Sequence, residues 1–144
     1  MGVYFILFFY LTFYQFNFAM DPVNFDPADG LKTPAHIYPE WYFLWSYEIL
    51  RPFSKDLGLV LFALSQVIFF MLPFLDRSPN VAPASRRGLF KYWFWLMVVD
   101  LLVLTFMGKL PPEGAWNVVG LVAALTFFAL WIALPIITKL EKKL

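Results

Sequence analysis

The sequence contains no cysteine and a single histidine. Disulfides, thiolate metal sites and cysteine nucleophiles are therefore excluded, and no His-rich metal site can come from this chain alone. Charge is scarce too. Charged residues make up 15% of the 144 residues and the net charge is +1, which offers no basic face for nucleic acid. There is no internal repeat and no low-complexity stretch. Apolar residues dominate instead, at 61%, with 18 Phe and a mean hydropathy of +0.68. Soluble domains carry about 45–50% apolar and about 25% charged residues. A chain this short has too little interior to hide the excess from water. A soluble domain and a disordered tail are both excluded.

A helix needs roughly 20 apolar residues to cross a bilayer core. Residues 1–20, 57–75 and 114–138 carry no charge, and 92–107 carry only Asp100. The expectation is an all-α integral membrane protein with four transmembrane helices at about 1–20, 56–75, 89–107 and 115–138. Residues 1–20 lack the basic start of a signal peptide and their apolar run is too long for one. The abrupt apolar start suggests the later part of a larger unit, encoded whole or split.

Four spans put the long segment 21–56 and the short segment 108–114 on one side, and the segment 76–91 and the C-terminus on the other. The second side holds Arg77, Arg86, Arg87, Lys91, Lys139, Lys142 and Lys143 against Asp76 and Glu141. The first holds Lys32, Arg51, Lys55 and Lys109 against seven acids. Lys and Arg favour the cytoplasm. Both termini are expected there, with the long loop on the periplasmic face of a bacterial inner membrane.

A loop of about 35 residues is usually functional. This one opens on the breakers Asp21-Pro22 and Asp26-Pro27 and then runs Thr33-Pro34-Ala35-His36-Ile37-Tyr38-Pro39-Glu40-Trp41-Tyr42. Pro39 suits a helix start, and Glu40 complements the dipole there. A short interfacial helix is expected over 40–50, rich in Trp and Tyr. On such a helix Glu40, Phe43, Leu44 and Tyr47 would share a face. That face combines a carboxylate, a phenol and aromatic walls, fit for a flat apolar molecule with a polar head. Against this stands a plainer reading, in which Glu40 caps a helix and the rings form a membrane belt.

The run from Thr33 to Leu44, with Tyr47 and Ile49-Leu50-Arg51 behind it, resembles the signature of cytochrome b in the cytochrome bc complexes; its core is Pro39-Glu40-Trp41-Tyr42. Asp29-Gly30-Leu31-Lys32, Leu72-Pro73-Phe74-Leu75-Asp76, the run Asp100 to Thr105, and Gly108, Pro111 and Gly120 extend the resemblance along essentially the whole chain. The part matched is the C-terminal half. The separate subunit IV of the photosynthetic cytochrome b/f complex is also similar, with three spans, so the span at 115–138 points to the respiratory type.

The resemblance implies a subunit of a quinol–cytochrome c oxidoreductase, inactive as an isolated chain, that contributes the outer quinol-oxidation site to respiratory electron transport and proton translocation. Quinol is the substrate; one electron goes to the Rieske iron–sulfur protein and one to haem b, and two protons leave outward. Glu40 would take a proton, Tyr47 would line the same site, Ile37 and Phe43 would be apolar wall, Pro39 would fix the helix entry and Tyr42 would support the pocket. The implied partners are a haem-bearing N-terminal half, the Rieske protein, a membrane-anchored cytochrome c and lipids, in a dimeric complex. No metal or haem is expected on this chain, and His36 is expected to be structural. Glu48 departs from the family pattern, which favours a small apolar residue; it reads as a partner of Arg51 at i, i+3 or as a second acid near the outlet, and the pair is the expectation.

Three further expectations come from the residues. Asp100, mid-span, reads either as functional or as a buried structural acid facing another helix. Arg86 and Arg87 read as lipid-phosphate ligands or as topology determinants. Ser65 and Gln66 read as links between neighbouring helices. Two other classes compete with a redox subunit. An intact Pro39-Glu40-Trp41-Tyr42 with Tyr47 speaks against a non-catalytic membrane scaffold. A transporter would show polar residues along several spans.

Overall fold

The computed structural model describes residues 1–18, 20, 25–27, 29–31, 37–79, 83–111 and 113–141. The expected role of His36, and with it Asp21-Pro22, Thr33-Pro34-Ala35, Lys32, Lys142 and Lys143, lies outside the described residues. Every regular element among them is helical. The chain divides into two units, Met1–Ile37 and Tyr38–Leu144.

The first unit holds α1, Gly2–Phe13. Its large apolar side chains are exposed along the whole helix, as in a helix that has lipid or other protein for a neighbour. Rings stack one turn apart, Tyr4 on Phe8, Phe9 on Phe13 and Tyr10 on Tyr14. The regular helix is shorter than the span expected at 1–20. Twelve residues rise only about 18 Å. Polar side chains arrive at Gln15 and Asn17, and the backbone gives way to turns in which Phe18 N–H donates to the Gln15 carbonyl and Met20 N–H to that of Asn17. The Thr12 hydroxyl donates to the Phe8 carbonyl of its own helix rather than to a neighbour.

The second unit contains α2, Leu44–Leu50; α3, Lys55–Val67; α4, Leu72–Leu75; α5, Gly88–Lys109; and α6, Ala115–Lys139. Lys55–Leu75, Gly88–Lys109 and Ala115–Lys139 are each long and apolar enough to cross a membrane, close to the expected bounds. Between α3 and α4 the helix tightens to 3₁₀ over Ile68–Met71. Pro73 has no N–H to offer the Phe69 carbonyl, and Leu72 N–H takes that carbonyl one residue early.

A link of five residues, 110–114, joins α5 to α6, with Gly114 at a φ of 54° that L side chains rarely adopt. The two helices pack through Phe90, Trp93, Met97 and Leu104 against Ala123, Ala124, Phe127, Trp131 and Leu134, and Ile49 of α2 joins this core. The Trp93 indole N–H donates to the Leu130 carbonyl at 2.7 Å, and its ring meets Trp131 edge-on. Outward, Phe70, Phe74, Trp95, Leu102 and Ile132 are exposed, the arrangement a lipid solvent allows.

The short α2 is held among the three long helices by three glycines. A Cβ on Gly58 would strike the Leu50 carbonyl, one on Gly108 the Leu44 carbonyl, and one on Gly120 the Glu48 carboxylate. Small residues at these points allow backbones to approach without a side chain between them.

Candidate functional site

The motif enters α2 differently from the expected helix over 40–50. Trp41–Phe43 form one 3₁₀ turn, with Glu40 at the cap position, and the α-helix begins at Leu44. The Glu40 carbonyl accepts from Phe43 N–H at 2.9 Å, but its carboxylate makes no capping hydrogen bond. Glu40 thus holds the cap position without a hydrogen bond from its side chain to the turn. Three residues per turn also breaks the 3.6-residue series. Leu44 turns inward to Gly108 and is buried, Tyr47 is half-buried, and Glu40, Trp41, Tyr42 and Phe43 are exposed. The four residues expected on one face are thus split: Leu44 belongs to the packing side and Glu40 and Phe43 to the open side.

The open side is aromatic with one acid. Trp41 meets Tyr42 edge-on at 5.7 Å, and Tyr42 leans on Phe43 at 5.0 Å. Pro39 is half-buried, and its fixed φ sets the entry to the turn. Ile37 is exposed and is the last residue of the first unit.

The other side of α2 is anchored by charge. The Arg51 guanidinium donates to Glu48 Oε2 at 2.9 Å, the pair expected from their spacing. It also donates to the Met107 and Gly108 carbonyls, both at 3.3 Å, and to the Leu110 carbonyl at 2.8 Å. These carbonyls lie at the C-terminal end of α5, that of Met107 also accepting from Leu110 N–H, and a cation there meets the negative end of the helix dipole. The same guanidinium lies 5.5 Å from the centre of the Tyr47 ring. Glu48 is 2% exposed. Burial pushes its carboxyl above the ordinary value, and the Arg51 charge opposes that only in part. These carbonyl contacts of Arg51 escape sequence reasoning, because a backbone acceptor more than 50 residues away carries no residue-type signal.

Other candidates resolve as follows. Ser65 donates to the Phe62 carbonyl of its own helix and Gln66 to Ser65, so the expected interhelical links are replaced by local bonds. Arg87 is neither a lipid ligand nor a mere topology signal. It is buried, bidentate to Asp76 at 2.6 and 2.9 Å, and bonded to Glu141 at 2.8 and 2.9 Å. Arg86 is exposed. Asp100 is buried in α5 with Oδ2 lacking a hydrogen-bond partner among the described residues. No group of three or more His, Cys, Asp or Glu that could hold a metal occurs among the described residues.

Residues 27–128 match the family described as cytochrome b (C-terminal)/b6/petD. The cytochrome b of Rickettsia bellii (strain RML369-C) is 43% identical over 145 aligned positions, 99% of this chain and 36% of that protein. The cytochrome b of Rickettsia conorii (strain ATCC VR-613 / Malish 7) is similar to the same extent. Among solved structures, a chain of a hyperthermophilic respiratory complex III superposes with a TM-score of 0.87 at 41% identity, over 97% of this chain and 35% of that one. This chain therefore spans about a third of the length of those relatives. The anchored α2, the motif ahead of it and the three long apolar helices agree with this relationship: the chain belongs to the C-terminal cytochrome b/b6/petD family.

Proposed function

We propose that this chain contributes the outer, proton-releasing quinol-oxidation site of a quinol–cytochrome c oxidoreductase and works only in the assembled complex. The observation that carries the reading is the Glu40 carboxylate. It is exposed beside Trp41, Tyr42 and Phe43, is not used as a cap, and is rooted on a helix whose opposite side is locked to α5. Aromatic edges suit a flat quinol ring, and a carboxylate suits its hydroxyl. Ile37 and Phe43 serve as apolar wall, Pro39 and Tyr42 as supports, and Tyr47 as the second polar group. The partner subunits, a haem-bearing N-terminal half, a Rieske protein and an anchored cytochrome c, supply haem b and an iron–sulfur cluster as electron acceptors.

In this reading Glu40 takes the proton of a quinol hydroxyl and releases it outward. Partner surfaces that cover the site would exclude water and hold the quinol hydroxyl within reach of the carboxylate. The 21–55 loop then faces the periplasm and both termini the cytoplasm, with residues 1–20 as the first span of a single membrane domain. Asp76 and Glu141 pair with Arg87, while Arg77, Arg86, Lys91 and Lys139 are exposed, which supports that orientation. Labelling of a cysteine placed at position 144 from the periplasmic side would reverse it.

Glu40→Gln in the assembled complex tests the site. Gln keeps the size and a hydrogen bond but cannot take the proton. Quinol oxidation should fall by about 10²–10⁴-fold if base catalysis is lost, with haem content and assembly unchanged. Tyr47→Phe should do less, because it removes a hydroxyl and keeps the ring. Full turnover at every pH in the Gln variant would return the motif to a structural role.

A further inference from the structure

The Glu48–Arg51 pair is more than a link between neighbours on one helix. Arg51 has three kinds of contact at once: the Glu48 carboxylate, the three carbonyls that end α5, and the face of Tyr47. Its side chain is 8% exposed, and that of Glu48 3%. A guanidinium has a planar fork of donors, so the carboxylate and the carbonyls together leave it little freedom to rotate. Glu48 is fixed in turn, because its Oε1 occupies the space that the missing Cβ of Gly120 leaves open. The chain of contacts runs from α6 through Glu48 to Arg51 and ends on an aromatic ring beside the motif.

We propose that Glu48 and Arg51 are positioning residues that set the place of the Tyr47 ring. The carboxylate aims the guanidinium, the end of α5 holds it, and the cation lies against the ring. A desolvated cation–ring contact is strong enough to select one rotamer of a half-buried tyrosine. The consequence for quinol rests on the reading above, in which Tyr47 lines the oxidation site. The geometry of Tyr47 itself does not.

The test therefore has two readouts. The assembled complex carries 3-fluorotyrosine at Tyr47, and its ¹⁹F resonance is compared with and without Glu48→Gln. The resonance should shift or broaden, and the KM for quinol should rise roughly 3–10-fold, within the range a cation–ring contact is worth. The KM change should disappear in a Tyr47→Leu background, which has no ring to place. Arg51→Lys keeps the charge and loses the fork, and it should move the resonance in the same way; it also serves if Glu48→Gln fails to assemble. An unmoved resonance in both variants overturns the proposal. A KM change that persists with Tyr47→Leu overturns it as well, because Glu48 would then act by another route. A moved resonance with unchanged quinol kinetics supports the positioning and removes Tyr47 from the oxidation site.

Discussion

The two ends of α5 are each closed by an arginine whose side chain is less than a tenth exposed, and the two arginines behave oppositely. At the C-terminal end Arg51 caps carbonyls and shares one carboxylate, Glu48. At the N-terminal end Arg87 sits between two carboxylates, and Glu141 also accepts from Phe90 N–H at 2.8 Å, an anion at the positive end of the dipole. The Arg87 guanidinium further lies 4.2 Å from the centre of the Phe90 ring. Hydrogen bonds from Arg87 hold Asp76 below its ordinary value. Burial alone would raise Glu141, yet the bonds from Phe90, Arg87 and Ser78 bring it below. Glu48 stays above its ordinary value because burial outweighs its single cation. The N-terminal cluster is a clamp that favours the fold. The C-terminal pair is charged at some cost to stability, and it is the one that adjoins the motif. Buried ions that cost stability are retained where they fix a geometry in some proteins, and the comparison places this pair in that class.

The largest effect should come from breaking the clamp. Arg87→Ala leaves two carboxylates near one another without a cation, and removal of one partner of a buried pair costs about 3–5 kcal/mol. The complex should lose assembly or melt far earlier in a detergent thermal ramp. A melting point within a degree of wild type would mean that the cluster is solvated and that the contrast with Glu48 is false.

The glycines sharpen the other end. Gly108→Ala drives a methyl into the Leu44 backbone carbonyl, which cannot step aside. Overpacking of this kind costs about 1–3 kcal/mol. Gly120→Ala meets only the Glu48 carboxylate, the end of a flexible side chain, so its cost should be smaller. It should shrink again when combined with Glu48→Ala. Equal, additive penalties in the four proteins would show that Glu48 does not fill that space.

The smallest effect is a difference in pH response. Asp76 has a lowered folded pKa, so its stabilisation is present above its ordinary value of 3.8 and is lost as pH falls through the folded value. Glu48 has a raised folded pKa, so its cost appears as pH rises above its ordinary value of 4.5 and is complete above the folded value. At pH 7 Asp76→Asn should therefore lower the melting point, and Glu48→Gln should leave it level or raise it slightly. Both differences should fade toward pH 3. Matching losses at pH 7 for the two variants would erase the distinction between clamp and positioning pair.

Much of the molecule was legible in one dimension. Hydropathy located the helices Lys55–Leu75, Gly88–Lys109 and Ala115–Lys139 within a few residues, because a lipid solvent demands long apolar helices whatever their neighbours. It was less informative over 1–20, where composition continues past the point at which Gln15 and Asn17 end the regular helix. The motif and the Glu48–Arg51 pair were also legible, the first as a run of residues and the second as an i, i+3 spacing. The entry into α2 was not: Pro39 marks a start equally well for a 3₁₀ turn and an α-helix, and that choice divides Phe43 from Leu44.

The sequence by itself thus determined a helical membrane chain of the cytochrome b type, with an acid and rings just ahead of α2, because apolar runs and short motifs are local properties. The tertiary structure alone decided what the arginines do. Arg87 meets acids 11 and 54 residues away, and Arg51 meets carbonyls 56 to 59 residues away. Such partners are set by how the helices pack, for Arg51 with three glycines that let α2 come close, and packing distance is a property of space that residue order does not carry.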